Sequence, residues 1–446
     1  MQTDPSALPN VFLPYIAKSF CLVSPFPRQR FSIIIIYNMK AVDVREVSLL
    51  AKQRIGILGG AFDPVHDGHL AAARLAAESA RLDQVLIMPT GDPGYKKCVS
   101  DAEDRWKMLV AACRGDKALV PCRLELDRVG PIYTADTLPL IRDAYPDAAF
   151  FVILGADAFL RLRRWKRSEE ILRKCRILVC SRPDEAETRA VSAEAEFLRR
   201  SGARIQMLPL DGSPFSSGAI RAALAESREP AGLDLCVREY IESKGLYDIP
   251  GRIPESSIWL DRLFAALKPH RFAHSLAVAA AARKMAIRFG EDPLKAEKAG
   301  LLHDCAKHMS LAEMQRIARD HHLAPDEAFL SSSSLLHSVV GAWVAEAEYG
   351  MADPEILDAI AYHNTGHAGM SRLAMCVCLS DSIEPTRSPY PLLEEIRAVA
   401  DSSLEKALLL SLESTAGFVT KKGAFLHPRT RETITWLKTL PCMQEA

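Results

Sequence analysis

Apolar residues recur along this chain in two rhythms, and the change from one to the other falls near residue 250. From residue 54 onward, short continuous apolar runs at Arg54–Leu58, Gln84–Met88, Ala149–Leu154, Arg176–Cys180 and Arg204–Leu208 predict buried strands, with helical or loop stretches between them. Strand, helix and strand in succession call for a parallel sheet with right-handed crossovers, so 54–247 reads as a doubly wound α/β domain whose ligands bind past the carboxyl ends of the strands. Val237–Tyr247 closes it as an amphipathic helix, and the Pro-, Gly- and Ser-containing segment 248–257 reads as a linker. Over 258–446 long helical periodicity takes over and predicts an all-α domain. Residues 1–53 carry no usable motif and are expected to form a poorly ordered extension, with Met39 the more natural start.

Composition narrows the class. With 48% hydrophobic and 25% charged residues the 446-residue chain is ordinary globular protein, long enough for two or three domains. Lys plus Arg equals Asp plus Glu at 56 each, which leaves no global basic footprint for nucleic acid. The run Ile33–Tyr37 is far short of the roughly 20 residues a membrane helix needs, and no positive segment with a cleavage site opens the chain, so neither a membrane span nor a secretory signal is expected. Eleven cysteines without a C-x-x-C pair fit reduced thiols and a cytoplasmic location. Cys376 and Cys378, on an apolar run, read as core.

The first chemical signal is Gly59-Gly60-Ala61-Phe62-Asp63-Pro64-Val65-His66-Asp67-Gly68-His69, lying between a predicted strand and an Ala-rich helix. Glycines at a strand end let backbone N–H groups approach a ligand, and the helix start offers further N–H groups and the positive end of its dipole to phosphate. His66 and His69, three apart at this mouth, can stabilise charge building on a leaving pyrophosphate. Ser216-Ser217-Gly218-Ala219-Ile220-Arg221 supplies two hydroxyls at another helix start and an Arg one turn in, a second phosphate clamp. Asp157 falls just past a strand end, suited to a ribose hydroxyl or to a helix N-cap; Thr134 reads as an N-cap.

The H-x-G-H core and the longer string G-G-A-F-D-P-V-H resemble the nucleotidyltransferase superfamily and, within it, the bacterial nicotinate-mononucleotide adenylyltransferases, from about Arg54 to Tyr247. The resemblance implies a Rossmann-like nucleotidyltransferase fold and adenylyl transfer from ATP, with Mg²⁺, to nicotinate mononucleotide, giving nicotinate adenine dinucleotide. It assigns catalysis to His66, His69 and Arg221, and nucleotide binding to Gly59, Gly60, Phe62, Lys96, Thr134, Gly155, Asp157, Trp165, Ser216, Ser217 and Ile220, with Trp165 stacking on the nicotinate ring. Four positions depart from the family pattern: Ala61 stands for Thr or Ser, Tyr95 for a His, Phe215 for Ile and Gly218 for Thr.

The helical half carries His270 and His274 at a helix start, His303-Asp304 in the apolar stretch Ala299–Ala306, then His337, His363 and Asp381 on later helices. Buried His and Asp are costly unless paired or metal-bound, and such a set suits a divalent transition metal and an activated water. The pattern H…HD…D, with Leu336-His337-Ser338, Tyr362-His363-Asn364-Thr365-Gly366 and Ser380-Asp381-Ser382-Ile383-Glu384-Pro385-Thr386-Arg387, resembles the HD hydrolase superfamily and its YqeK-type branch of symmetrical diadenosine-tetraphosphate hydrolases. That resemblance implies a two-metal site, with iron as the metal, held by His274, His303, Asp304, His337, His363 and Asp381. The reaction it implies splits diadenosine tetraphosphate into two ADP. Lys307, one turn after His303, and Arg387 are candidates to neutralise phosphate. Hydrolysis of another nucleotide, or a nucleotide-sensing regulatory role, stands as the alternative for this half; self-association into a homo-oligomer is left open.

Overall fold

The computed structural model describes residues 53–91, 98–128, 130–181, 185–210, 215–324 and 326–443. The extension over 1–52 and the candidate Lys96 lie outside them. Residues 51–446 form one compact unit.

Strands β1 (Arg54–Gly60), β2 (Gln84–Pro89), β3 (Leu119–Pro121), β4 (Ala149–Gly155), β5 (Arg176–Ser181) and β6 (Arg204–Pro209) make a sheet in the order β3-β2-β1-β4-β5-β6. Every neighbouring pair is parallel, with Ile57 facing Leu86 on one side and Val152 on the other. Ile55, Ile57, Val152 and Ile177 are almost wholly buried, as expected of strands covered on both faces. The covering helices are α1 (Asp67–Ser79), α2 (Ala102–Ala112), α3 (Thr134–Ala144), α4 (Ala156–Leu160), α5 (Ser168–Lys174), α6 (Glu185–Arg200), α7 (Ser217–Ala225) and α8 (Leu235–Lys244). The five expected strands are present within a residue or two. β3 was not expected: it is three residues long and half exposed, too short to leave a periodic signal.

The second lobe is helical throughout its described residues: α9 (Ser256–Ala266), α10 (Pro269–Phe289), α11 (Pro293–Leu302), α12 (Leu311–Asp320), α13 (Glu327–Ser331), α14 (Ser333–Tyr349), α15 (Pro354–Tyr362), α16 (Arg372–Ile383), α17 (Leu393–Ala400), α18 (Leu404–Lys421) and α19 (Pro428–Lys438). α10 and α11 cross closely because Gly300 leaves no side chain at the contact; a Cβ there would stand 2.9 Å from the Cα of Ala279. Cys376 and Cys378 are buried on α16 as core, and the described cysteines are free thiols.

One continuous apolar core runs through both lobes. It takes in Met108 and Leu109 of α2, Val237 and Tyr240 of α8, Leu260 of α9, and Phe272 and Leu276 of α10. The Cys236 thiol donates to the carbonyl of Ala273 at 3.2 Å, and Lys107 pairs with Asp261. The segment 248–257 takes part in this junction. Arg252 meets Glu239 at 2.7 Å, Glu297 at 2.9 Å and Glu242, and Ser256 donates to the carbonyl of Ser243 at 2.6 Å. Burial, with Glu297 and Glu242 nearby, pushes the Glu239 carboxyl up to about 7 in spite of Arg252.

Candidate functional site

The first site lies where the strand order reverses. Connections leave β1 and β4 in opposite directions, which opens a crevice past their carboxyl ends. A cavity of about 590 Å³ occupies it, lined by His66, Gly68 and His69 at the start of α1, by Gly155 and Asp157 at the β4–α4 junction, and by Ser216, Ser217 and Gly218 at the start of α7. Two helix N-termini thus open on one hollow, an arrangement suited to an anion.

His66 holds the N-cap position of α1, and its ring stacks on that of His69 with centroids 3.7 Å apart. The His66 N–H donates to His69 Nδ1 at 3.3 Å, so a neutral His69 carries its proton on Nε2. A Cβ on Gly68 would stand 3.1 Å from the His66 ring, which accounts for glycine between the two histidines.

The turn carrying these residues is tied from several sides. The buried Asp63 carboxylate accepts from the Val99 N–H at 2.6 Å, the Ser100 hydroxyl at 2.5 Å and the Tyr247 hydroxyl at 2.9 Å. Burial opposes its charge, yet the hydrogen bonds from Ser100, Val99 and Tyr247 hold its pKa below the ordinary carboxylate value. Arg221 donates to the carbonyl of Asp63 at 2.5 Å, Ser217 donates to that of Pro64 at 2.9 Å, and Ser216 accepts from the Ala219 N–H as the N-cap of α7. The expected phosphate clamp is therefore fastened to the histidine turn, and the two helix mouths are held against each other.

Of the other expected residues, Gly155 and Asp157 line this hollow, whereas Gly59, Gly60, Phe62, Ile220 and Arg221 do not. Gly60 ends β1, with its carbonyl accepting from the Thr90 N–H at 2.9 Å, and Gly59 precedes it in the strand. Phe62 is buried at φ +48°, its ring edge-on to His69 at 4.9 Å, and Ile220 is core. Thr134 opens α3, but the N-cap is Tyr133, without a side-chain cap, so the expected capping role of Thr134 is not found. Asp157 stands in the first turn of α4, where Gly155 is the N-cap, and its exposed carboxylate lies 3.7 Å from Arg161. Trp165, half-buried after the short turn 162–164, and Thr134 do not line the hollow.

The second site is a knot of imidazoles and carboxylates where α10, α11, α14, α15 and α16 meet. His303 donates Nδ1–H to the carbonyl of Gly300 at 2.7 Å, His363 to that of Ile360 at 2.8 Å, and His337 to that of Ser333 at 3.2 Å. Each bond, its tautomer assigned from the partner, leaves Nε2 as a lone-pair donor facing inward. His303 Nε2 is buried without a hydrogen-bond partner, and the Nε2 atoms of His337 and His363 lie 3.1 Å apart. Two lone pairs so placed repel unless a cation lies between or beside them. Asp304 Oδ1 is 3.2 Å from His337 Nε2 and 3.7 Å from both His303 and His363.

His274 completes the set. Its Nε2 meets Asp381 at 2.9 Å and its Nδ1 meets Glu384 at 3.1 Å. Burial pushes His337 and His363 down to about 4 and lowers His303, so all three are neutral donors near pH 7. For His274 burial works the same way, but the Asp381 and Glu384 carboxylates lift it to about 9. The ligand atoms form three overlapping groups: His274, His303 and Asp304; His303, His363 and Asp381; and Asp304, His337 and His363. Overlap through His303, Asp304 and His363 is the chemistry of a divalent metal site with neutral nitrogens and shared carboxylates. His270 is exposed and belongs to none of the three groups.

Cations surround this centre. Lys307 lies 3.3 Å from Asp304 and 2.8 Å from His337 Nε2, and Arg387 lies 3.8 Å from Asp381. Two neighbours were not assigned roles from the sequence. Arg271 reaches Asp304 Oδ2 at 3.2 Å, and Glu384, buried three residues after Asp381, orients His274. Their one-turn spacing from His274 and Asp381 was the available signal.

Comparison with known proteins divides the chain at the same place as the fold. Residues 57–223 match the cytidylyltransferase-like family model, and residues 271–386 match the HD domain. The protein of Corynebacterium kroppenstedtii named probable nicotinate-nucleotide adenylyltransferase is 37% identical over 213 residues, 46% of this chain and 96% of that one. The symmetrical bis(5'-nucleosyl)-tetraphosphatase of Bacillus subtilis is 37% identical over 171 residues, 38% of this chain and 91% of that one. A crystal structure of an HD superfamily hydrolase from Clostridium acetobutylicum, described as involved in NAD metabolism, is 34% identical and aligns over 41% of this chain and 96% of its own, with a TM-score of 0.39. The chain accordingly belongs to the nicotinate-nucleotide adenylyltransferase family through its α/β lobe and to the HD-domain family of symmetrical bis(5'-nucleosyl)-tetraphosphatases through its helical lobe.

Proposed function

We propose a bifunctional cytoplasmic enzyme that transfers the adenylyl group of ATP to nicotinate mononucleotide, and separately hydrolyses diadenosine tetraphosphate to two ADP. In the first reaction a phosphate oxygen of the mononucleotide bonds to the α-phosphorus of ATP as the bond to pyrophosphate breaks, with no protein nucleophile. His66 and His69, with the N-termini of α1 and α7, stabilise the charge arriving on the pyrophosphate, while Arg221 and Ser217 keep the two mouths in register. Mg²⁺ bound with ATP would supply further charge neutralisation, held mainly by substrate oxygens. Gly155 and Asp157 border the adenosine side, and Thr134 and Trp165 the pyridine side.

In the second reaction His274, His303, Asp304, His337, His363 and Asp381 would hold the metal, with iron as the proposed ion, and its chemistry is to activate the water that attacks an internal phosphorus. The carbonyls of Gly300, Ile360 and Ser333 and the carboxylate of Glu384 keep the four rings aimed at the centre. Lys307, Arg271 and Arg387 neutralise the bridging phosphates. The observation that carries this half is the inward convergence of buried Nε2 atoms around Asp304.

The test uses the full chain, assayed with ATP plus nicotinate mononucleotide and, separately, with diadenosine tetraphosphate. His69→Ala should lower dinucleotide formation at least about a hundredfold and leave hydrolysis intact; Asp304→Asn should do the reverse and lose bound metal. Joint loss of both activities in either variant, or a wild-type chain inert toward either substrate pair, overturns the assignment.

A further inference from the structure

The residue that stands out among those without an assigned role is Arg105, on α2. It is 1% exposed, one of the largest fully buried side chains, and no carboxylate pairs with it among the described residues. Its Nη1 donates to the carbonyl of Ala61 at 2.7 Å and its Nη2 to that of Gly91 at 3.2 Å, while Nε is buried without a partner. The two carbonyls belong to the segments leaving β1 and β2, beyond Gly60 and Pro89. A guanidinium enclosed without a counter-charge is unfavourable, and a buried cation is ordinarily met by an acid. Here the neighbouring acids are taken: Asp104 pairs with Lys244 and accepts from Tyr240, and Glu103 pairs with Arg123.

We propose that Arg105 is a positioning residue for adenylyl transfer, which turns the Ala61–Phe62 peptide so that the Phe62 N–H is presented to a phosphate oxygen. This rests on the adenylyltransferase reading of the α/β lobe. In a trans peptide the C=O and N–H point in opposite directions. Fixing the carbonyl of Ala61 on Arg105 therefore turns the Phe62 N–H away from the guanidinium, within the turn that joins β1 to the His66 N-cap of α1. That N–H makes no hydrogen bond among the described residues, and Phe62 is held at φ +48°, a region a bulky residue rarely adopts. A backbone donor kept unpaired in a left-handed residue, with a buried positive charge behind it, is an arrangement completed by an anion. The negative charge missing around Arg105 is what a nucleotide triphosphate brings. Ala61 has no hydroxyl of its own to offer, so its peptide contributes through this orientation alone.

The full-length chain is tested as wild type, Arg105→Lys and Arg105→Met. Dinucleotide formation gives kcat and KM, binding of inorganic tripolyphosphate is followed by titration calorimetry, and thermal unfolding and hydrolysis of diadenosine tetraphosphate report on the fold. Arg105→Met should lower kcat by about a hundredfold, change KM for nicotinate mononucleotide by less than about threefold, and weaken tripolyphosphate binding by about tenfold. Arg105→Lys, which keeps the charge and can reach one carbonyl, should recover part of each loss. Wild-type kcat and tripolyphosphate affinity in the Met variant overturn the proposal, as does a kcat loss matched by equal losses in melting temperature and hydrolysis in both variants. A wild type that binds tripolyphosphate through Arg105 but forms no dinucleotide would instead sink the adenylyltransferase reading.

Discussion

Gly300→Ala is a one-carbon change whose effect can be worked out from the crossing of α10 and α11. The added Cβ would stand 2.9 Å from Ala279 Cα, 3.0 Å from the Val278 carbonyl oxygen and 3.1 Å from Ala279 N. All three are backbone atoms, so no side chain can swing aside. Ordinary contact is about 3.5–4.0 Å, so the helices must part locally by roughly 0.6–1 Å. Overpacking of this kind costs about 1–3 kcal/mol, and in a domain of this size each kcal/mol lowers the melting temperature by about 2–4 °C. The shift also reaches the chemistry, because the carbonyl of Gly300 is the acceptor that orients His303 at 2.7 Å. Loss of such an orienting bond typically lowers metal affinity by about 10–100-fold. Calorimetric melting of the full chain, elemental analysis of bound metal and the release of ADP from diadenosine tetraphosphate should all fall together, with dinucleotide formation retained as the internal control. A variant that melts with the wild type and keeps its metal and its hydrolysis would refute both the crossing and the role given to His303.

Glu384→Gln should lower metal retention about tenfold or more and slow hydrolysis in proportion, since the amide carries no charge to strengthen His274 through Nδ1; elemental analysis after dialysis against a weak chelator checks it. The Glu239 carboxyl, raised to about 7 in the folded chain against 4.5 ordinarily, binds a proton in the folded state that the unfolded chain has released. Its contribution therefore favours folding below about pH 4.5 and is lost as pH rises through 7. Urea melts between pH 5 and 7 should show Glu239→Gln losing less stability, or gaining more, with rising pH than the wild type does; identical pH profiles for the two would remove Glu239 as a contributor.

The α/β lobe was legible in the sequence because strands buried on both faces leave unbroken apolar runs, and the histidines of the second lobe because imidazoles on otherwise apolar helices need a reason to be there. α2 was harder to read. Its charged residues Asp104, Arg105 and Lys107 suggest a solvated face, yet all three are buried, since α8 and the helical lobe cover the side that composition assigns to water. Their charges are met by Lys244, 140 positions away, by the carbonyls of Ala61 and Gly91, 44 and 14 positions away, and by Asp261, 154 positions away. Pairings over such separations leave no local pattern. The segment 248–257 carries linker composition for the same reason: prolines and glycine mark a turn, but only the folded chain brings Glu297 to Arg252. The two helix mouths were recognisable from the sequence as candidate phosphate sites; that Arg221 and Ser217 fasten one mouth to the other depends on contacts 158 and 153 residues apart in sequence.

The core that runs unbroken from α2 and α8 into α10 has a practical consequence. Severing the gene near residue 250 would uncover Tyr240, Phe272 and Leu276 together and split the charge cluster around Arg252, so each fragment would carry a sticky wound along its cut side. Anyone wishing to express the halves apart should first repaint those surfaces with polar residues.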